Sequence, residues 1–272
     1  MISAHLITHQ CVILDYCVES TIRCMMGLCD DIYINDGSST DGTLDILYSL
    51  QNEYGKGRIK LFVKDWQHNR QMWANEKNFL LDKMPIDAYI LAIDADEVLN
   101  ENDFDQIRKA VSMEIPAIAF NVIHFYGVPT HYIEGPAWYK QHTRLWRHST
   151  GIRLLHRNNG CADDLVWADG FPAHSGRNIN CGASIYHYGN CRDPKALGMK
   201  AKKADDLYQY SNVYEGGKIA SPRSFTYAFD SVGAKIFSGA HPKYIADWYN
   251  RHVNQDTYFN AQDGETNKLW CF

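Results

Sequence analysis

Short apolar runs alternate with stretches of helical period along the first hundred residues. Ile2–Thr8 reads as a strand, and 12–28 as a helix whose inward stripe passes through Ile13, Cys17, Ser20 and Cys24. "DIYIN" at 31–35 is a second strand. A turn, "DGSSTDG", and a short helix with Leu44, Leu47 and Leu50 inward follow it. Residues 59–64 are a third strand, a helix covers 75–84 until Pro85 stops it, and 89–94 is a fourth strand. Alternation at this pitch builds βαβ units, hence a parallel sheet with helices on its faces. Such sheets bind ligands at the carboxyl ends of their strands. The turn "DGSSTDG" and the acidic "DADE" both lie at such ends, so they are expected to share a cleft.

Beyond Glu101 the rhythm changes. A helix over 103–113 and a strand over 115–125 come next, then a long region rich in Gly, His and aromatic residues. Asp193-Pro194 has the form of an N-cap and first helical position, with Leu197, Ala201, Ala204 and Tyr208 as the stripe of the helix it opens. The tail from Ser211 is tyrosine-rich and weakly patterned.

Composition narrows the classes. The 272 residues are 45% hydrophobic and 22% charged, an ordinary globular mix. A net charge of −5 argues against binding nucleic acid by bulk electrostatics. No apolar run approaches the ~20 residues of a membrane helix, and "MISAHLITHQ" has no signal-peptide pattern, so a cytoplasmic location is expected. The eight cysteines include no CxxC pair and are expected to be reduced and mostly buried.

"LAIDADEVL" puts Asp94, Asp96 and Glu97 directly after an apolar strand. Charges are costly beside a core unless a partner neutralises them. Two carboxylates one residue apart suit a hard cation such as Mg²⁺ or Mn²⁺. The string also fits the DxDx[TV] of aspartyl-phosphate phosphohydrolases, or a merely acidic turn. Asp36 closes the second strand before small, hydroxyl-bearing neighbours that allow a nucleobase to approach. No P-loop or dinucleotide glycine motif occurs.

Taken together, "DIYINDGSSTDGTLDIL", "NEKNFLL" and "YILAIDADEVL" resemble the inverting family 2 glycosyltransferases of the GT-A fold. "IYHYGNCRDP" and "GAHPKYIADW" extend a weaker likeness to about residue 250. The resemblance implies an α/β, Rossmann-like, mostly parallel sheet flanked by helices, with a mainly helical C-terminal extension. It implies a domain over 1–210, with 1–100 binding the nucleotide sugar and 101–210 carrying the acceptor and metal half, and an extension over 211–272 packed on it. The implied activity is metal-dependent transfer of a hexosyl or related sugar from a nucleotide-sugar donor, with uracil as the family's usual base, to an acceptor hydroxyl.

Carried over by position, Asp36 reads the base, and Asp94, Ala95 and Asp96 are the DxD stretch. Asp96 and His187 hold Mn²⁺ or Mg²⁺, while Arg192 and the cluster of Lys200, Lys202 and Lys203 clamp the diphosphate. Two departures stand out. The family's "RN" reads Lys77-Asn78, keeping the charge but losing the fork of a guanidinium. The family's "HE" in the acceptor region has His156-Arg157 as its best match, so the usual base is missing. Asp163, Asp164 or His156 itself is then the expected base. The acceptor is expected to be a saccharide, with a protein side chain or a nucleobase as the other possibilities. The alternative function is a non-catalytic nucleotide-sugar binding module.

Overall fold

The computed structural model describes residues 1–69, 71–136, 138–156, 163–173, 176–200, 225–226, 233–255 and 258–259; His156, Asp163 and Asp164 are described through their backbone alone. Strands β1 (Ile2–Thr8), β2 (Asp31–Asp36), β3 (Ile59–Val63) and β4 (Tyr89–Ala92) form a parallel sheet in the order β3-β2-β1-β4. Both faces are covered, which is why the strands read as continuous apolar runs. Ala4, Leu6, Ile32, Ile34 and Leu91 face α1 (Val18–Leu28), α2 (Thr43–Tyr54) and α4 (Phe104–Ser112). Tyr33, Ile90 and Ala92 face α3 (Met72–Leu81). Each fully buried leucine in these layers contributes about 1.5–3 kcal/mol.

Past β4 the strand direction reverses. β8 (Gln141–Arg147) runs antiparallel to β4, and β6 (Ala117–Tyr126) antiparallel to β8. β8 and β7 (Val128–Ile133) pair with different halves of β6 on one edge, while β11 (Ile179–Asn190) runs parallel along the other. β11 also pairs with β5 (Glu97–Leu99), so His187 sits in register with both Glu97 and His124. A separate hairpin, β9 (Arg153–His156) and β10 (Asp163–Val166), lies over α3. This is the expected α/β architecture of a central sheet between helices.

The described part of the tail mixes element types. Lys235–Ile236 adds a strand beside β7, Phe225–Thr226 pairs with Tyr258–Phe259, and a helix covers Ala246–His252. Trp248 of that helix is 2% exposed and packs on Tyr188, ring centroids 5.5 Å apart. The helix opened by Asp193 is present over 194–200, with Asp193 Oδ1 accepting from the Lys195 and Ala196 amides. The rest of its stripe, Ala201, Ala204 and Tyr208, lies outside the described residues. Among the described residues no helix is long and apolar enough to cross a membrane. Their cysteines are free thiols, and all but Cys181 are buried.

One element differs from its sequence reading in a way that matters. The first helix starts at Val18, not at residue 12. The segment before it is a loop because its amides find acceptors in the "DGSSTDG" turn. Gln10 N donates to Ser39 Oγ at 2.8 Å, Cys11 N to Thr43 Oγ1 at 2.8 Å, and Ile13 N to Asp41 Oδ2 at 2.7 Å. Val12 and Ile13 are left 47% and 52% exposed, so their helical spacing was a coincidence.

Candidate active site

The carboxyl ends of β1 and β4 open on one cavity, and the end of β2 lies behind its wall. At the end of β2, Asp36 is fully buried. Its Oδ2 accepts from Thr8 Oγ1 at 2.7 Å and Ser39 Oγ at 2.8 Å, and its Oδ1 from Ser39 N at 2.7 Å. Neutral donors therefore satisfy this carboxylate. Gly37 beside it has no room for a side chain, since a Cβ there would lie 2.8 Å from His9 and 2.9 Å from Trp66. The rings of His9 and Trp66, with centroids 5.7 Å apart, form one wall of the cavity.

The acids after β4 are held differently. Asp94 Oδ1 is 3.0 Å from Lys77 Nζ, and its Oδ2 is 3.2 Å from Arg144 Nη2. Arg144 Nη2 also binds Glu97 Oε1 at 2.6 Å, while Glu97 Oε2 accepts from Asp94 N at 3.0 Å. Burial raises the Asp94 pKa, yet Lys77 and Arg144 overcome it and hold the group well below the usual carboxylate range. Glu97, 1% exposed, is pushed up to about 7 by burial against the opposing pull of Arg144. Asp96 Oδ2 pairs with Arg192 Nη2 and lies 3.3 Å from Lys200 Nζ. Burial works against this ionised form too, and Lys200 and Arg192 outweigh it.

β11 brings the last member of the group. His187 Nε2 is 3.8 Å from Asp96 Oδ2, and both atoms look across Gly189. A Cβ on Gly189 would stand 2.5 Å from His187 Nε2 and 2.8 Å from Asp96 Oδ2. The glycine of "HYG" thus keeps open a small space bounded by a carboxylate and an imidazole. That donor pair fits a hard divalent cation completed by phosphate and water oxygens. Among the described residues no cluster of three or more His, Cys, Asp or Glu able to hold a metal occurs.

Of the residues expected from the sequence, Lys77, Asp94, Ala95, Asp96, His187 and Lys200 line the cavity. Asp36 and Arg192 stand behind its walls. Arg192 is fully buried, donating to the carbonyls of Gly189 at 3.0 Å and Leu14 at 2.9 Å and stacking on Tyr16. It braces Asp96 and the loop 9–17. Lys202 and Lys203 lie outside the described residues. On the hairpin, Asp163 pairs with His156, two positions along from the Leu154–Leu165 pair. Leu154 and Leu165 line the cavity. Asp164 pairs with Leu155.

Sequence reasoning missed Arg144, His124 and the task of Asn78. The signal for Arg144 was a charge inside the apolar strand "TRLW". Asn78 follows Lys77 in the departed motif and acts like a strand partner for β9. Its Nδ2 donates to the Leu154 carbonyl at 2.8 Å, and its Oδ1 accepts from Leu154 N at 3.0 Å. The dipeptide thus links the DxD carboxylates to the hairpin that carries the expected base.

Fold and site define an α/β protein with a cleft at its parallel strand ends, where cations brace a cluster of carboxylates. The chain belongs to glycosyl transferase family 2, whose model matches residues 5–163. Similar solved structures include S. aureus TarS in complex with UDP, at 12% identity and TM-score 0.41, covering 75% of this chain and 64% of that one. A mannosyltransferase from Pyrobaculum calidifontis in complex with GDP-Man and Mn²⁺ matches at 10% identity and TM-score 0.49, covering 81% of this chain and 66% of that one. A further TarS structure is spanned over 38% of its length. No curated protein matches the chain.

Proposed function

We propose that this chain transfers a hexosyl or related sugar from a nucleotide-sugar donor, a UDP-sugar foremost, to an acceptor hydroxyl with inversion. The observation that carries the reading is the space at Gly189 between Asp96 Oδ2 and His187 Nε2, in a cavity that Lys77 and Lys200 also line. Asp96 and His187 hold Mn²⁺ or Mg²⁺ there. When bound, the cation supplies positive charge for the departing diphosphate.

The chain's own residues do the rest. Lys200 reaches the diphosphate from the helix 194–200, and Arg192 keeps Asp96 in place behind it. Asp36 fixes Thr8 and the turn at Ser39, which sets the slot of His9 and Trp66 for the base. The acceptor oxygen attacks the anomeric carbon as its bond to the diphosphate oxygen breaks. The leaving diphosphate takes the electron pair, and a base takes the acceptor proton. Asp163, Asp164 and His156 are the candidate bases. Asp163 and His156 rank first, because their register pair lies two positions along from that of the cavity-lining Leu154 and Leu165. The acceptor is a saccharide hydroxyl, and the location is cytoplasmic, where nucleotide sugars and free thiols coexist.

The test is a panel of sugar nucleotides, scored for thermal stabilisation and for nucleotide release, with Mn²⁺ and with EDTA. Stabilisation by one donor, larger with Mn²⁺ and followed by release of its nucleoside diphosphate, is expected. Full turnover in excess EDTA overturns the metal role. Binding without any release, in water or with saccharide acceptors, identifies a binding module instead.

A further inference from the structure

His124 lies on β6 directly beside His187 on β11, and it is 2% exposed. The two Nδ1 atoms are 3.0 Å apart, with the ring planes at 87°. The other nitrogen of His124, Nε2, is 2.9 Å from the backbone carbonyl oxygen of Tyr139. A carbonyl oxygen only accepts, so His124 Nε2 carries the hydrogen of that bond. In a neutral ring the remaining nitrogen is then an acceptor. Both nitrogens of His124 face neutral groups, the Tyr139 carbonyl and the His187 ring, in a pocket closed by Trp138 and Tyr139, so among the described residues no anion there favours a charged ring.

The direction of the whole chain follows. His124 Nδ1 accepts, so His187 must donate from its own Nδ1. The His187 proton is thereby committed away from the cavity. Its Nε2 lone pair is turned toward Asp96 Oδ2, 3.8 Å away across Gly189. Arg192 and Lys200 hold the same Asp96 oxygen from other sides, and on the side that Gly189 keeps open a cation between the two acceptors is shared by both.

We propose that His124 is a positioning residue that locks His187 in its Nδ1–H tautomer and so presents the Nε2 lone pair to a divalent cation. The inference rests on reading Asp96 and His187 as the cation pair. A ligand histidine whose other nitrogen is held in this way keeps its ring orientation and gains basicity, and loss of such a partner costs about 10- to 100-fold in metal affinity. His124 touches neither the donor nor the cation. It acts through His187 alone.

Two measurements on the full chain test this. Long-range ¹H–¹⁵N spectra of the metal-free protein, with His187 assigned through His187→Gln, read the tautomer directly. The expected result is Nδ1–H in the wild type and a shift toward Nε2–H in His124→Leu. Titration of Mn²⁺ in the presence of UDP, followed by the EPR signal of the free ion, reads affinity. The expected result is a loss of about 10- to 100-fold in His124→Leu, recovered in large part by His124→Asn, whose carbonyl accepts the same proton. A wild-type His187 found as Nε2–H overturns the proposal whether or not metal binds. So does equal Mn²⁺ affinity in wild type and His124→Leu. A wild type that binds no Mn²⁺ with UDP overturns the cation reading itself, and the tautomer spectrum still decides the role of His124. Should His124→Leu fail to fold, the wild-type spectrum and His124→Asn carry the test.

Discussion

The strand ends on either side of β1 carry aspartates, and the protein treats them in opposite ways. Asp36, at the end of β2, is sealed in and receives hydrogen bonds from Thr8 and Ser39. Asp94 and Asp96, after β4, are held by Lys77, Arg144, Arg192 and Lys200. Hydroxyl and amide donors fix a carboxylate in place without changing the local charge. Cations fix it by charge, and here they also bring Lys77 and Lys200 to the cavity wall beside the aspartates. The first arrangement builds a wall, and the second builds a site.

The largest effect that separates the two is on turnover. Asp96→Asn is expected to lower nucleotide release by about 10³-fold in protein that is still folded, and to lower the melting temperature as well, because it leaves the buried Arg192 without its anion. Turnover within tenfold of wild type would remove the distinction between the two aspartates. Next comes Arg144→Met, which strands Glu97 in the interior and is expected to cost about 3–5 kcal/mol in urea unfolding. The double variant Arg144→Met with Glu97→Gln should regain part of that loss. If the double variant loses as much as Arg144→Met alone, the ion pair is not what stabilises the cluster.

Asp36→Ala sharpens the contrast from the other side. Removing its oxygens leaves buried donors of Thr8 and Ser39 unpaired, for an expected loss of about 1–3 kcal/mol in stability. UDP should bind more weakly, because the turn loosens beside His9 and Trp66, while Mn²⁺ affinity stays as it was. Unchanged UDP binding would confine Asp36 to the turn.

The smallest effect belongs to a group that is kept neutral instead of braced. His5, in the middle of β1, is 1% exposed, and neither ring nitrogen has a partner among the described residues. Burial, assisted by the cation of Lys77, lowers its pKa from 6.5 to about 3. Between those values the unfolded chain takes up a proton that the folded chain refuses. Stability from this group is therefore present above the unfolded value and is lost as pH falls, by about 1–2 kcal/mol from pH 6.5 to 5. His5→Phe should flatten the slope of unfolding free energy against pH over that window. An unaltered slope would assign the acid sensitivity to other groups.

The four parallel strands could be read from the chain because burial on both faces makes each one an apolar run. The acidic stretch at 94–97 was legible for a related reason, since charges directly after such runs stand out, whereas His187 was picked out only by the resemblance of "HYG" to a family motif. What could not be read depends on pairing between distant segments. Residues 12–17 looked helical because the true partners of their loop, Ser39, Asp41 and Thr43, lie about thirty residues away. Arg144 reaches Asp94 only because β8 reverses beside β4, and His124 meets His187 only through the register of β6 with β11. Gly189 was visible as one letter of a motif, but its purpose is steric and appears only once Asp96 is placed against it. The hairpin bearing Asp163 and His156 was found as a neighbourhood rather than as a pairing.

The loop 9–17 is also where the two ends of the chain meet. Asp15 Oδ2 accepts from the amide of Asp193 at 2.8 Å and lies 2.7 Å from His252 Nε2, a contact between residues 237 positions apart. Contacts of such range are slow to form, because the intervening chain must be ordered before they contribute. During synthesis the parallel strands have their partners early, within the first hundred residues. Arg192 reaches Asp96 and Leu14 only after residue 192 has emerged, and the His252–Asp15 contact has to wait for the helix at 246–252. Assembly therefore runs from the parallel sheet to the candidate site, and a nascent chain stopped short of that helix lacks the His252 contact that clasps the loop 9–17.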